Sequence, residues 1–188
     1  MNKNFVCLKG DKTSEIYRDW KPWLNHTSKL YMKFIDDHGH WPLHDNEQAA
    51  VSLLLAGAVK AGYLALAECE VDKDERKGRG DLWIICDNTK YWFEFKRAAF
   101  NPNALNWGLK HALYVATNDI NKLAIDNGEL GVAGVIAATD LMKAGRKKTY
   151  SDFCDHVDYA FHIGPSGARG AYLYFSVMPE PNITPENL

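Results

Sequence analysis

The chain has 188 residues, 46% hydrophobic and 24% charged, the balance of a globular domain with one substantial core. Its 22 basic and 24 acidic residues leave a net charge of −2, so no overall positive field attracts nucleic acid, and an anionic substrate needs local basic patches. The opening MNKNFVCLK lacks the apolar centre of a secretory signal, and the apolar run 49–59 is too short for a membrane span; a cytoplasmic location with no membrane partner is expected.

Residues 14–37 place Ile16, Trp20, Trp23, Leu24, Leu30, Tyr31, Phe34 and Ile35 at roughly helical spacing, with Pro22 a possible interruption. This aromatic-rich segment reads equally as a lid over the core or a dimer surface. Gly39 and Pro42 mark a break, and Asp45 or Asn46 can cap a second helix, NEQAAVSLLLAGAVKAGY. A strand is expected over 64–71, then the polar loop DKDERKGRG and a hairpin over 78–96. The spacing predicts a helix over 104–127 stopped by Gly128, then a strand over 131–139 buried on both faces. AGRKKTYSD reads as a basic loop, 157–163 and 171–177 as strands, GPSGARG as a turn, and PEPNITPENL as a loose tail. The four cysteines, Cys7, Cys69, Cys86 and Cys154, lack metal-type spacing and read as reduced, buried thiols.

The result is one mixed α/β domain over 1–188: an N-terminal helical extension (1–43), a core (44–140), C-terminal strands (141–178) and the tail (179–188).

The hairpin carries the chemistry. With Asn88-Thr89 as a two-residue turn, Leu82 opposes Phe95, Ile84 opposes Phe93 and Cys86 opposes Tyr91, which makes one face wholly apolar. The other face pairs Ile85 with Trp92, Trp83 with Glu94 and Asp81 with Lys96, which gathers all three charges at the end away from the turn. One reading is a solvated charge cluster of small energetic value. The other is a cradle for Mg²⁺, with Mn²⁺ as substitute, because adjacent carboxylates repel and a hard divalent cation relieves that repulsion.

At Gly80-Asp81 and Glu94-Phe95-Lys96 the chain resembles the PD-(D/E)XK, or restriction-endonuclease-like, nuclease superfamily, over about residues 46–138. The resemblance implies an α-β-β-β-α-β core in a mixed sheet flanked by helices. It implies a metal-dependent nuclease acting on nucleic acid, expected to be DNA, with Asp81, Glu94, the Phe95 carbonyl and Glu47 as metal ligands. Lys96 would orient or deprotonate water, and Glu68 and Glu70 would replace Glu47 if it faced away. Glu47 also suits a first helical turn without any such role. One branch of the superfamily carries Gln-x-x-x-Tyr on the next helix; Lys110 and Tyr114 stand at that spacing here.

Lys77, Arg79, Arg97 and Lys110 are expected to contact phosphate, as are Arg146, Lys147 and Lys148, and Trp107 reads as a base-stacking or a core residue. The alternative is an inactive nuclease-like module that binds nucleic acid or a protein partner, or forms a homodimer. His38, His40 and His44 raise a zinc hydrolase as the rival, although no HExxH spacing is present.

Overall fold

Ser14 sets the start of the longest helix by accepting the Tyr17 amide at 3.1 Å, and α1 then runs Glu15–His38 straight through Pro22. It ends in a glycine cap: Gly39 takes φ 63°, and the amides of Gly39 and His40 bond back to Ile35 and Phe34. A computed structural model describes residues 4–73, 76–87, 89–98, 104–139, 144–165 and 169–178, with the side chains of 71–73, 76–77 and 144–147 outside that description.

After β1 (Phe5–Lys9) and α1 come the single turn α2 (Pro42–Asp45) and α3 (Glu47–Lys60), capped by the Asn46 side chain on the Ala49 amide at 2.8 Å. Then follow β2 (Leu64–Lys73), β3 (Arg76–Cys86), β4 (Thr89–Arg97), α4 (Leu105–Ile120), β5 (Glu129–Ala138), α5 (Ala144–Phe153), β6 (Tyr159–Ile163) and β7 (Ala171–Val177). The strands form one seven-stranded sheet in the order β1-β6-β7-β5-β4-β3-β2. β4 and β5 are parallel, as a helical crossover through α4 requires, and the other neighbours are antiparallel.

Helices cover both faces. On one face Trp20, Trp23, Leu24 and Tyr31 of α1, with Ala50, Leu53 and Leu54 of α3, pack on Leu82, Ile84, Tyr91, Phe93, Phe95, Phe161 and Phe175. The α1 aromatics are therefore a cover over the core. Trp20 alone lies within 6 Å, ring centre to ring centre, of Tyr91, Phe93, Tyr159 and Phe175. On the other face α4 and α5 pack on Trp92, Ala133, Val135, Ala137, Tyr172 and Tyr174.

Four sequence expectations change. Phe5–Lys9 is an edge strand on β6 rather than part of a purely helical extension. The expected basic loop is α5, held by buried Tyr150, stacked on Tyr172 at 4.6 Å, and by buried Phe153. α4 stops at Ile120 rather than 127, because the chain turns to lay Leu123 beneath Trp92, while Gly128 (φ 82°) leads into β5. All four cysteines are free thiols, but only Cys86 is buried.

Candidate functional site

The β3–β4 register differs from expectation by two residues: Leu82 opposes Phe93, Trp83 opposes Trp92, Ile84 opposes Tyr91, Ile85 opposes Lys90, and Cys86 opposes Thr89. The turn sits earlier because Asp87 adopts left-handed backbone (φ 45°), which β-branched Thr89 disfavours, so Thr89 stays in the ladder. A two-residue slip keeps every side chain on its face, so the apolar face survives intact. It also moves Asp81 from the level of Lys96 toward that of Glu94.

Asp81 occupies a break in the strand alternation. Ala65 and Ala67 pack against the α1/α3 core, whereas Cys69 packs against the α4 side; likewise Leu82 and Ile84 face the first core, while a Cβ on Gly80 would meet Trp92 and Leu123 on the second. Both strands change face at the level of Glu68 and Asp81, and there Glu68 takes φ 55°, a strained value for a residue with a side chain. The ladder between β3 and β4 extends no further than Leu82–Phe93. In the seam beyond it, Asp81 Oδ2 accepts the Phe95 amide at 2.7 Å. Because the N–H and C=O of a strand residue point to the same side, the Phe95 carbonyl also faces this seam.

The other groups arrive from three elements. Glu94 and Lys96 come from the end of β4, Glu47 from the first residue of α3, and Asp119 from the last turn of α4. Lys96 Nζ lies 3.3 Å from Asp119, 3.6 Å from Glu94 and 4.0 Å from Glu47. The second oxygen of Glu47 accepts the Arg97 amide at 2.9 Å, which ties the α3 N-terminus to β4. Asp119 is the member that sequence reasoning missed; Ala112, Ala116 and Asp119 stand at i, i+4 and i+7, so the buried stripe of α4 leads to it.

The charges do not balance, and the protonation states show it. Burial, followed by the nearby Asp81 carboxylate, pushes Glu94 up to about 8. Burial raises Asp81 too, although its bond to the Phe95 amide and the pull of Lys96 oppose the rise, and it shares a side-chain hydrogen bond with Glu94. Burial likewise raises Glu47. Burial works to lower Lys96, but Asp81, Glu47, Glu94 and Asp119 together outweigh it and hold the ammonium charged. Lys122 adds a second ammonium at the rim, 2.8 Å from Asp119, so four carboxyls face two cations, and burial with the nearby Asp81 carboxylate keeps the proton on Glu94 near neutral pH.

Among the described residues, no group of three or more His, Cys, Asp or Glu side chains is gathered closely enough to hold a metal as it stands. The donor chemistry nonetheless suits a hard divalent cation: oxygen ligands only, with a proton on Glu94 that a cation would displace. Asp81, Glu94 and the Phe95 carbonyl fit as holders, and Glu47 borders them across Lys96.

The expected phosphate contacts are scattered. Arg97 directs its guanidinium to the His44 and Asp45 carbonyls at the end of α2. Arg79 is exposed and pairs with Glu68 at 2.7 Å, which occupies one expected substitute for Glu47, while Glu70 is exposed. Lys110 and Lys148 are exposed, and the side chains of Lys77, Arg146 and Lys147 lie outside the described residues. Trp107 is 66% exposed, which removes its core reading. Two histidines of the zinc rival face protein partners, His40 pairing with Asp45 at 2.9 Å and His44 meeting the Gly170 carbonyl at 3.1 Å, while His38 is exposed with its ring 6.4 Å from that of Phe34.

No helix among the described residues is long and apolar enough to cross a membrane. Comparisons with protein families, curated proteins and solved structures found no match to the chain.

Proposed function

We propose that the protein is a metal-dependent phosphodiesterase of restriction-endonuclease-like architecture, a nuclease whose expected substrate is DNA. One observation carries this reading: Glu47, Asp81, Glu94 and Asp119, from three different elements and a strand seam, surround the ammonium of Lys96, with Lys122 reaching Asp119 from the rim. Stability alone does not call for a buried Glu94 beside partly buried Glu47, Asp81 and Asp119, since a surplus of like charge raises the free energy of the folded state. The element order α3-β2-β3-β4-α4-β5 supports the architectural part.

A divalent cation, Mg²⁺ or Mn²⁺, held by Asp81, Glu94 and the Phe95 carbonyl would polarise a phosphoryl oxygen and acidify water. Lys96, kept charged by its neighbours, contributes an ammonium and its N–H donors to the growing negative charge on phosphorus rather than taking a proton. Glu47, held by the Arg97 amide and raised by burial, would receive the proton of the attacking water. Asp119 orients Lys96.

A binding-only module remains the second reading, and the closeness of Lys96 to three carboxylates favours it, since a static ion-pair network has the same appearance. Calorimetric titration with Mg²⁺ and Mn²⁺ separates the two, followed by cleavage of supercoiled plasmid and of single-stranded circular DNA with Lys96→Ala as control. The nuclease reading requires cation binding that Asp81→Ala abolishes and cleavage that Lys96→Ala lowers by about 10²–10³-fold. Equal cleavage by wild type and Lys96→Ala would reject it.

A further inference from the structure

The inner face of α4 is accounted for: Leu105, Leu109, Ala112, Ala116 and Ile120 are buried. The outer face is not. Trp107, Lys110, His111 and Tyr114 stand at i, i+3, i+4 and i+7 and are all exposed, Trp107 and Tyr114 at 66% each. The indole of Trp107 and the imidazole of His111 lie plane on plane, with centroids 4.9 Å apart and planes 5° apart. The result is a flat, ordered π surface with an ammonium beside it on a rigid helix, and none of these rings supports the core. Single exposed aromatics are ordinary on protein surfaces. A stacked pair followed one turn later by a third ring is a different object, because its open faces suit other planar π systems.

The same helix ends in the proposed reaction site. Asp119, which bonds Lys96, lies twelve residues beyond Trp107, about 18 Å along the axis at 1.5 Å per residue. Resting on the nuclease reading above, we propose that the outer face of α4 is a stacking platform for the unpaired bases of single-stranded nucleic acid, with Trp107 and Tyr114 as the stacking rings and Lys110 against the backbone. Duplex does not fit this role, since its bases already stack on one another and offer neighbouring proteins their edges and phosphates. With a net charge of −2 the chain has no bulk attraction to phosphate, so grip would rest on local contacts such as Lys110 and on base stacking, which every base can supply.

The test is direct binding in EDTA, which blocks cleavage. Fluorescence anisotropy of labelled oligo-dT, oligo-U and a blunt hairpin duplex is measured with wild type, Trp107→Ala/Tyr114→Ala and Trp107→Phe, and sedimentation fixes the assembly state of each. The expected result is tighter binding of single strand than of duplex, a loss of at least about tenfold in the double alanine variant, and near-retention in Trp107→Phe. Duplex bound as tightly as single strand, or a double variant that binds like wild type, overturns the platform. A wild-type dimer that the double variant dissociates overturns it too and assigns the face to a second copy of the chain. The outcomes stay separate from the chemistry: single-strand binding without cleavage sinks the nuclease and keeps the platform, whereas cleavage without single-strand preference does the reverse.

Discussion

Asp81 Oδ2 and the Phe95 amide meet at 2.7 Å in the seam where β3 parts from β4. One carboxylate thus replaces a missing rung of the sheet and faces the candidate site at once. Asp81→Asn keeps the size and can still accept the amide, but loses the charge. It is expected to fold with a melting temperature near wild type and to bind Mg²⁺ at least about tenfold more weakly. Calorimetry beside a thermal scan checks this; unchanged affinity removes Asp81 from the ligand set.

Glu94 predicts opposite pH trends for stability and for cation binding. Its folded pKa, pushed to about 8, lies above the unfolded value, so its contribution is complete below the ordinary glutamate range and is lost as pH rises toward 8. Cation-free protein should therefore lose stability over that interval, and Glu94→Gln should raise the melting temperature at pH 8, by on the order of 5 °C, and change it little at pH 4.5. Cation affinity should move the other way, rising with pH until Glu94 ionises. Titrations in buffers of different ionisation enthalpy should register about one proton released per cation near neutral pH.

Asp119 approaches Lys96 more closely than Glu94 or Glu47 does. Asp119→Asn should leave Mg²⁺ binding nearly intact and lower kcat by about tenfold, because the ammonium loses its orienting partner. A merely structural role would lower the melting temperature without altering the pH–rate profile. The expected signature is a shift of the basic limb of that profile, since removing a carboxylate makes Lys96 easier to deprotonate.

Arg97 should behave as a brace. Its guanidinium bonds to the His44 and Asp45 carbonyls, next to the start of α3 that carries Glu47. Arg97→Ala is expected to destabilise the fold by about 1–2 kcal/mol, with oligonucleotide affinity in EDTA changed less than twofold. A large affinity loss at constant stability would instead return Arg97 to the phosphate-contacting set.

Face assignment in the hairpin was legible from sequence because strand side chains repeat every two residues, so a register error of two leaves Phe93, Phe95 and Leu82 on the core face. The register itself was not, since it depended on which residue of Asp87-Asn88-Thr89 would accept left-handed backbone. Glu47 could be placed near the acids through the resemblance. Asp119 could not, because its meeting with Lys96 depends on how α4 crosses the sheet, a contact with no sequence period of its own. Strand β1 and helix α5 were hidden for a related reason: a five-residue edge strand and a helix anchored by Tyr150 and Phe153 draw their stability from distant partners.

The place of β7 between β5 and β6 bears on biosynthesis. Every residue of the acidic cluster is encoded before β5 ends, yet β5 keeps an unpaired backbone edge until β7, much later in the chain, reaches it. A nascent polypeptide therefore carries its full acidic cluster while one margin of the sheet is still open to other chains, and prematurely terminated products should be sticky and short-lived.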